Sequence, residues 1–151
     1  MTVGEDTYIT VAEADEIISG LLLSADTQRI AWEALSDGDK EVYLRHALAW
    51  IETLPFTGAA YDINQTLQFP RDYNVSGEVP AAVKQAQALE AAASVGMLEQ
   101  IDKRAQLRAQ GITHFTAGQL SESYGPVSQF GLLSLQAHRL LRRYTLGGVP
   151  F

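Results

Sequence analysis

Hydrophobic residues recur along much of the chain at three- and four-residue steps, the spacing that draws one apolar stripe along an α-helix. Thr10 with Glu13 makes a capping box, and Val11, Ala14, Ile17, Ile18 and Leu21 supply the first stripe, with Gly20 as a candidate stop. A second short helix is expected from about Asp26 to Leu35 on Ile30, Trp32 and Leu35. Ser36 then opens a third, with Asp37, Asp39 and Glu41 where the positive end of the helix dipole favours acids. Tyr43, Ala47, Trp50, Ile51 and Leu54 form its apolar face, and Glu41 and Arg45 form an i,i+4 pair. Pro55 ends it.

The run from Val79 to Gln110 is the organising stretch. Pro80 suits a first helical turn, and the Ala, Leu, Gln, Glu, Lys and Arg that follow are strong helix formers. Val83, Ala86, Ala93, Met97 and Ile101 draw a stripe that Glu90 interrupts, and Gly96 is a point where the rod bends or ends. Between the third helix and this spine, residues 55–79 form a long irregular stretch whose Phe56, Tyr61, Leu67, Phe69 and Tyr73 imply an ordered loop packed on the body. After Gly111 the texture changes. Ile112 to Phe115 and Gln119 to Tyr124 are short and partly alternating, as in a small β-hairpin or two β-segments. A last helix is expected from about Ser128 to Tyr144, with Leu132, Leu133, Leu135, Leu140 and Leu141 inward. Arg139, Arg142 and Arg143 sit near its negative end. The fold class is therefore mainly α: a small helical bundle with a long central helix, a long ordered loop and a short β-element near the C-terminus. One domain over 1–151 has an extended lead-in at 1–9 and a tail at 145–151.

Composition narrows the functions. At 151 residues and 46% hydrophobic, one domain has material for a core. A net charge of −7 weighs against a protein whose main task is wrapping nucleic acid, and suits a wall that DNA slides past. With no cysteine, disulfides and thiolate metal sites are excluded. The start MTVGEDTYIT lacks the cationic and apolar regions of a signal peptide, and the apolar runs fall short of the roughly 20 residues that span a bilayer.

Little chemistry is visible. His46, His114 and His138 have no metal-ligand spacing, and no nucleophile elbow, P-loop or dinucleotide fingerprint occurs. No cofactor, metal or catalytic role is expected. The cations group in two places, Lys103, Arg104 and Arg108 on the spine and Arg139, Arg142 and Arg143 on the last helix. They are either a solvated face complementing the helix dipole or a patch for an acidic partner or DNA phosphates. The tail from Gly147 through Val149 to Phe151 is either a frayed end or an arm that docks into a neighbour.

Several stretches resemble a known family: YITVAEAD (Tyr8 to Asp15), Trp32 to Ser36, DKEVYLRHALAWIETLPFTG (Asp39 to Gly58), Gln65 to Arg71 with its L-x-F-P-R element, and the V-P-x-x-V-K start at Val79. Together they resemble the head–tail adaptor proteins of tailed bacteriophages with long non-contractile tails. The match covers roughly residues 7 to 95 and continues more loosely to the last helix. The same group also carries a label as single-stranded-DNA-binding proteins related to a primosomal protein, against which the acidic balance weighs. The resemblance implies a non-enzymatic virion protein, made in the host cytoplasm, whose copies form a ring of about a dozen. That ring would sit beneath the portal, meet a stopper or tail-completion protein, and let DNA pass unbound. By analogy its contact surfaces are the loop (Phe56 to Val79) and the β-segment (Ile112 to Tyr124), with the tail as an arm toward the portal, and the arginines of the last helix are the candidate patch named above. The interface residues are then Phe56, Tyr61, Phe69, Pro70, Arg71, Tyr73, Phe115, Tyr124, Arg139, Arg142, Arg143, Val149 and Phe151. The alternative is a single-stranded-DNA-binding helical module of a phage replication system. Trp32 and Trp50, at apolar helical positions, look like core and count against it. A third and distant option is a small enzyme with a pocket under the 55–79 loop.

Overall fold

Side chains at the helix starts set the architecture. Thr10 Oγ1 accepts from Glu13 N at 3.1 Å while the Glu13 carboxylate accepts from Thr10 N at 2.8 Å, opening α1 (Val11–Leu21). Asp26 accepts from Gln28 N ahead of α2 (Thr27–Glu33), and Ser36 from Asp39 N ahead of α3 (Asp37–Ile51). Pro80 precedes α4 (Ala81–Ser94), and Ser134 caps α5 (Leu135–Leu141) by accepting from Ala137 N. A 3-10 turn, Arg142–Tyr144, continues α5. The computed structural model describes residues 1–95, 97, 114–117, 120–123 and 131–146, the two short segments by their backbone only. Those segments, β1 (His114–Ala117) and β2 (Leu120–Ser123), pair antiparallel with His114 opposite Ser123 and Phe115 opposite Glu122.

The protein is mainly helical, and among the described residues α4 lies at the centre, touching each of the other four helices. Every residue from Ala86 to Ser94 is buried. Ala86, Ala88, Ala91, Ala92 and Ala93 let the neighbouring helices approach closely, while Val83 and Leu89 fill the gaps. Fully burying an aliphatic side chain of that size contributes about 1.5–3 kcal/mol. Yet α4 is not the rod that the sequence predicts. It has 14 residues, one fewer than α3, and Val95 turns to an extended conformation (ψ 123°) ahead of Gly96. A β-branched residue followed by glycine is a weak place to continue a helix, and the chain leaves it there. The remainder of the expected rod, Ile101, Lys103, Arg104 and Arg108 included, lies outside the described residues.

Other boundaries also shift. α1 runs through Gly20, and α5 begins at Leu135 rather than near Ser128. With Ser134 as cap, Ala137, His138 and Leu141 face the core, while Leu133 is 38% and Leu135 60% exposed. Trp32 is fully buried, but Trp50 is 38% exposed, because Leu44, Ala47, Leu48 and Ile51 form the inner face of α3.

Two polar residues in α4 tie distant segments together. Gln87 receives Tyr8 N at 2.9 Å and donates to Thr7 Oγ1 and the Leu44 carbonyl, binding the lead-in and α3 to the core. Glu90 receives Leu133 N at 2.9 Å and Ser134 N at 2.8 Å, fixing the start of α5. Buried polar groups hold their place only with partners, and these two have them. The interruption at Glu90 is thus a fastening point.

Residues 55–79 contain no helix, and Phe56, Leu67 and Phe69 turn into the core. The Tyr8 hydroxyl donates to Glu52 and accepts from Phe69 N, and burial raises the Tyr8 pKa, so the hydroxyl keeps its proton. The chain after α5 closes over this loop through Thr57 N to the Tyr144 carbonyl and Leu146 N to the Pro55 carbonyl, both 2.8 Å.

Candidate functional site

The placement of positive charge singles out one end of the molecule. Four described cations are ion-paired: Arg29 with Glu33 at 2.7 Å, Lys40 with Asp15 at 3.0 Å, Arg45 with Glu41 at 3.3 Å, and Lys84 with Glu13 at 3.4 Å. Arg71 is 8% exposed and donates to the carbonyls of Phe56, Thr57 and Gly58 at 2.8–2.9 Å, and to that of Gln68 at 3.4 Å. It is a clasp for the loop. Arg139, Arg142 and Arg143 are exposed and have no carboxylate within ion-pairing distance among the described residues. Arg139 and Arg143 stand four apart on α5 and its continuation. Like charges at that spacing oppose the helix by a few tenths of a kcal/mol, a repulsion that an anion between them relieves.

Aromatic rings lie beside this triad. The Arg143 guanidinium sits 5.8 Å from the Tyr144 ring centroid, and Tyr144 stacks on Tyr73 with centroids 6.2 Å apart and planes within 4°. Tyr144 also meets Phe69 edge to face at 5.6 Å, so the pair is anchored in the core, and Tyr73 is 40% exposed. Gly58 makes room for it: at φ +78° only glycine is comfortable, and a Cβ there would come 3.0 Å from the Tyr73 ring. Beneath the triad, burial together with the Arg142 and Arg139 charges holds the His138 pKa down to about 4. It is neutral at pH 7 and leaves the positive potential to the arginines.

A cavity of about 250 Å³ opens on the same face, lined by Leu21, Gln85, Leu89, Gln136, Arg139, Leu140 and Arg143. A second, of about 350 Å³, has acidic walls at Asp15, Glu16 and Glu33. There Asp15 is already engaged by Lys40 and by Trp32 Nε1 at 2.7 Å. The first cavity therefore carries the free binding groups.

Of the residues named from the sequence, the structure brings Tyr73, Arg139, Arg142 and Arg143 to one end. Phe56, Phe69 and Arg71 are internal, Pro70 is partly buried, and Tyr61 is half-exposed and packs over Gly77. For Phe115 only the backbone is described; Tyr124, Val149 and Phe151 lie outside the described residues. Tyr144, Gln85 and Gln136 were not singled out from sequence. A tyrosine directly after two arginines was the available signal for the first; the glutamines carry none until α4 and α5 are set side by side. Among the described residues no His, Asp or Glu cluster could hold a metal, and no helix is long and apolar enough to cross a membrane.

Residues 1–149 match a family model described as "Putative DnaT-like ssDNA binding protein", and the chain belongs to that family. No curated protein and no solved structure matches it. The family match overturns the head–tail adaptor expectation, and with it the ring, the portal and stopper partners, and a channel through which DNA passes unbound. The acidic balance that weighs against strand binding in the sequence is a weak guide for a physical reason. The charge of −7 is a sum over the chain, whereas a strand meets one surface, and the triad is a surface whose charge is not cancelled locally.

Proposed function

We propose that this member of the DnaT-like family binds single-stranded DNA at the α5 end, with Arg139, Arg142 and Arg143 on phosphates and the Tyr73–Tyr144 pair as a stacking platform. Single-strand binders combine a positive track with exposed aromatic faces, because every base has a π-face and every nucleotide a phosphate. The observation that carries the proposal is the triad: three exposed arginines without a carboxylate partner among the described residues, where the other described cations are all engaged. The role is one of holding a strand, with no catalytic step.

Fluorescence anisotropy with a labelled oligo-dT, run across a salt series, tests this. Three phosphates neutralised on a single strand give a slope of about −2 in log K against log salt, and each Arg→Ala substitution removes about 0.7 of it. Tyr73→Ala weakens binding by about 1–3 kcal/mol, the worth of one stacked base. Affinity that is insensitive to salt, or unchanged when all three arginines become alanine, refutes the assignment.

A further inference from the structure

The groove between α1, α4 and α5 has features that a phosphate track does not need. Its floor is apolar: Leu89 is buried, Leu140 is partly buried, and Leu21 is 46% exposed at the end of α1. Its rim holds two amides, Gln85 on α4 and Gln136 on α5, and neither makes a hydrogen bond among the described residues. Gln87, two residues from Gln85, uses both ends of its amide. Two amides idle among the described residues, each a donor and an acceptor, thus face one apolar slot beside two guanidiniums with no described carboxylate partner. At about 250 Å³ the slot lies below the roughly 300–1,000 Å³ of pockets for drug-sized ligands, so it has room for a single ring system.

We infer that this groove takes one unstacked base of the strand, its face on Leu21, Leu89 and Leu140 and its polar edge on the amides of Gln85 and Gln136. The assignment rests on the single-strand binding proposed above and adds to it a place where base identity is read. Base edges present donors and acceptors in patterns that differ between bases, so a pair of amides held at fixed positions favours some over others. Charge places the backbone on one side of the slot: Arg139 and Arg143 form one wall, and Arg143 also lies over Tyr144. Pocket and platform therefore share a phosphate position.

The test compares homopolymers dT, dC and dA of equal length, and an all-abasic strand of that length, against wild type and a Gln85→Ala/Gln136→Ala double variant. Wild type should prefer one homopolymer. The double variant should bind that one about tenfold more weakly, the change expected for two neutral hydrogen bonds, and should bind the abasic strand as wild type does. Gln136→Glu, at an exposed helical position, places a carboxylate beside Arg139 and Arg143 and should weaken binding at least as much. If both variants keep wild-type affinity and preference while Arg142→Ala still lowers the salt slope, the pocket is wrong and the strand-binding assignment stands. An apolar peptide that competes for the groove without displacing the strand also overturns the pocket. If no strand binds in any arm, both fall together.

Discussion

Glu90 decides how firmly the arginine-bearing end is attached. It is 1% exposed, and its two oxygens receive the N–H groups of Leu133 and Ser134, the residues that lead into α5. Two effects compete there. Burial pushes its pKa up, and the two backbone hydrogen bonds pull it down; burial wins. The ionised carboxylate is therefore less at ease in the folded protein than a protonated one, and a neutral isostere loses less than the bonds alone would indicate. For Glu90→Gln the loss of one charge-assisted bond, about 1.5–3 kcal/mol, is largely offset by the relief of a buried charge, leaving about 1 kcal/mol. Glu90→Ala keeps no acceptor, orphans the buried Ser134 N–H and the part-buried Leu133 N–H at up to about 1–3 kcal/mol each and opens a cavity, so about 4 kcal/mol is expected. Urea unfolding measures both through the midpoint at constant m. The pH dependence has a definite sign. A group with a raised folded pKa stabilises below its unfolded value, and that contribution disappears as pH rises through the folded value. The deficit of Glu90→Gln should accordingly widen as pH falls from 7 toward 4.5. Glu90→Ala should also weaken oligonucleotide binding, though Glu90 is buried away from any strand. If Glu90→Ala loses under 1 kcal/mol, or binds DNA like wild type, α5 is not held by this carboxylate.

Arg71→Met removes the donor to four loop carbonyls and should lose about 3 kcal/mol in urea unfolding, since bonds to a charged group are worth about 1.5–3 kcal/mol each and water replaces some of them. It should also disturb the Tyr73 platform, and a near-ultraviolet circular dichroism spectrum identical to wild type counts against the clasp. His138, held at about 4 against 6.5 when unfolded, takes up its proton only in the unfolded chain across that window. Stability from this group is complete above pH 6.5 and is lost on acidification toward 4; His138→Gln should flatten that part of the profile, and parallel profiles refute the assignment.

Local signals were legible in the sequence where their partners are local. Thr10 with Glu13, Asp26 and Ser36 bond within three residues of themselves, so the starts of α1, α2 and α3 could be read directly. Glu90 reads as a flaw in an apolar stripe because its partners are Leu133 and Ser134, more than forty residues on. Arg71 reads as a surface cation for a different reason: its partners are near in sequence, but composition reports a guanidinium, not the loop carbonyls that surround it. Trp50 fits a helical period on either side of the stripe boundary, and only packing against α4 shows that Leu44, Ala47, Leu48 and Ile51 take the inner face. Gly20 illustrates the converse. Its intrinsic cost of about 1 kcal/mol within a helix is small beside the packing of Ile18 and Leu22, and α1 runs through it.

Net charge is a poor guide to where this protein can meet an anion. Eighteen acids against eleven Lys and Arg describe the far field, which salt screens beyond about 8–10 Å at ordinary ionic strength. Within that distance the count is different. Glu13, Asp15, Glu33 and Glu41 are each within 4 Å of a cation of their own, and the acids of the first turns of α1 and α3 face helix N-termini. Neutralised in place, they contribute little to the field at the end of α5. Among the described residues Arg139, Arg142 and Arg143 have no such partner, and His138 beneath them is uncharged at neutral pH. A phosphate arriving there meets three exposed guanidiniums on an acidic protein. On the proposed reading the overall acidity still has a consequence: it would repel strands from the rest of the molecule and favour the end where three arginines and two tyrosines meet.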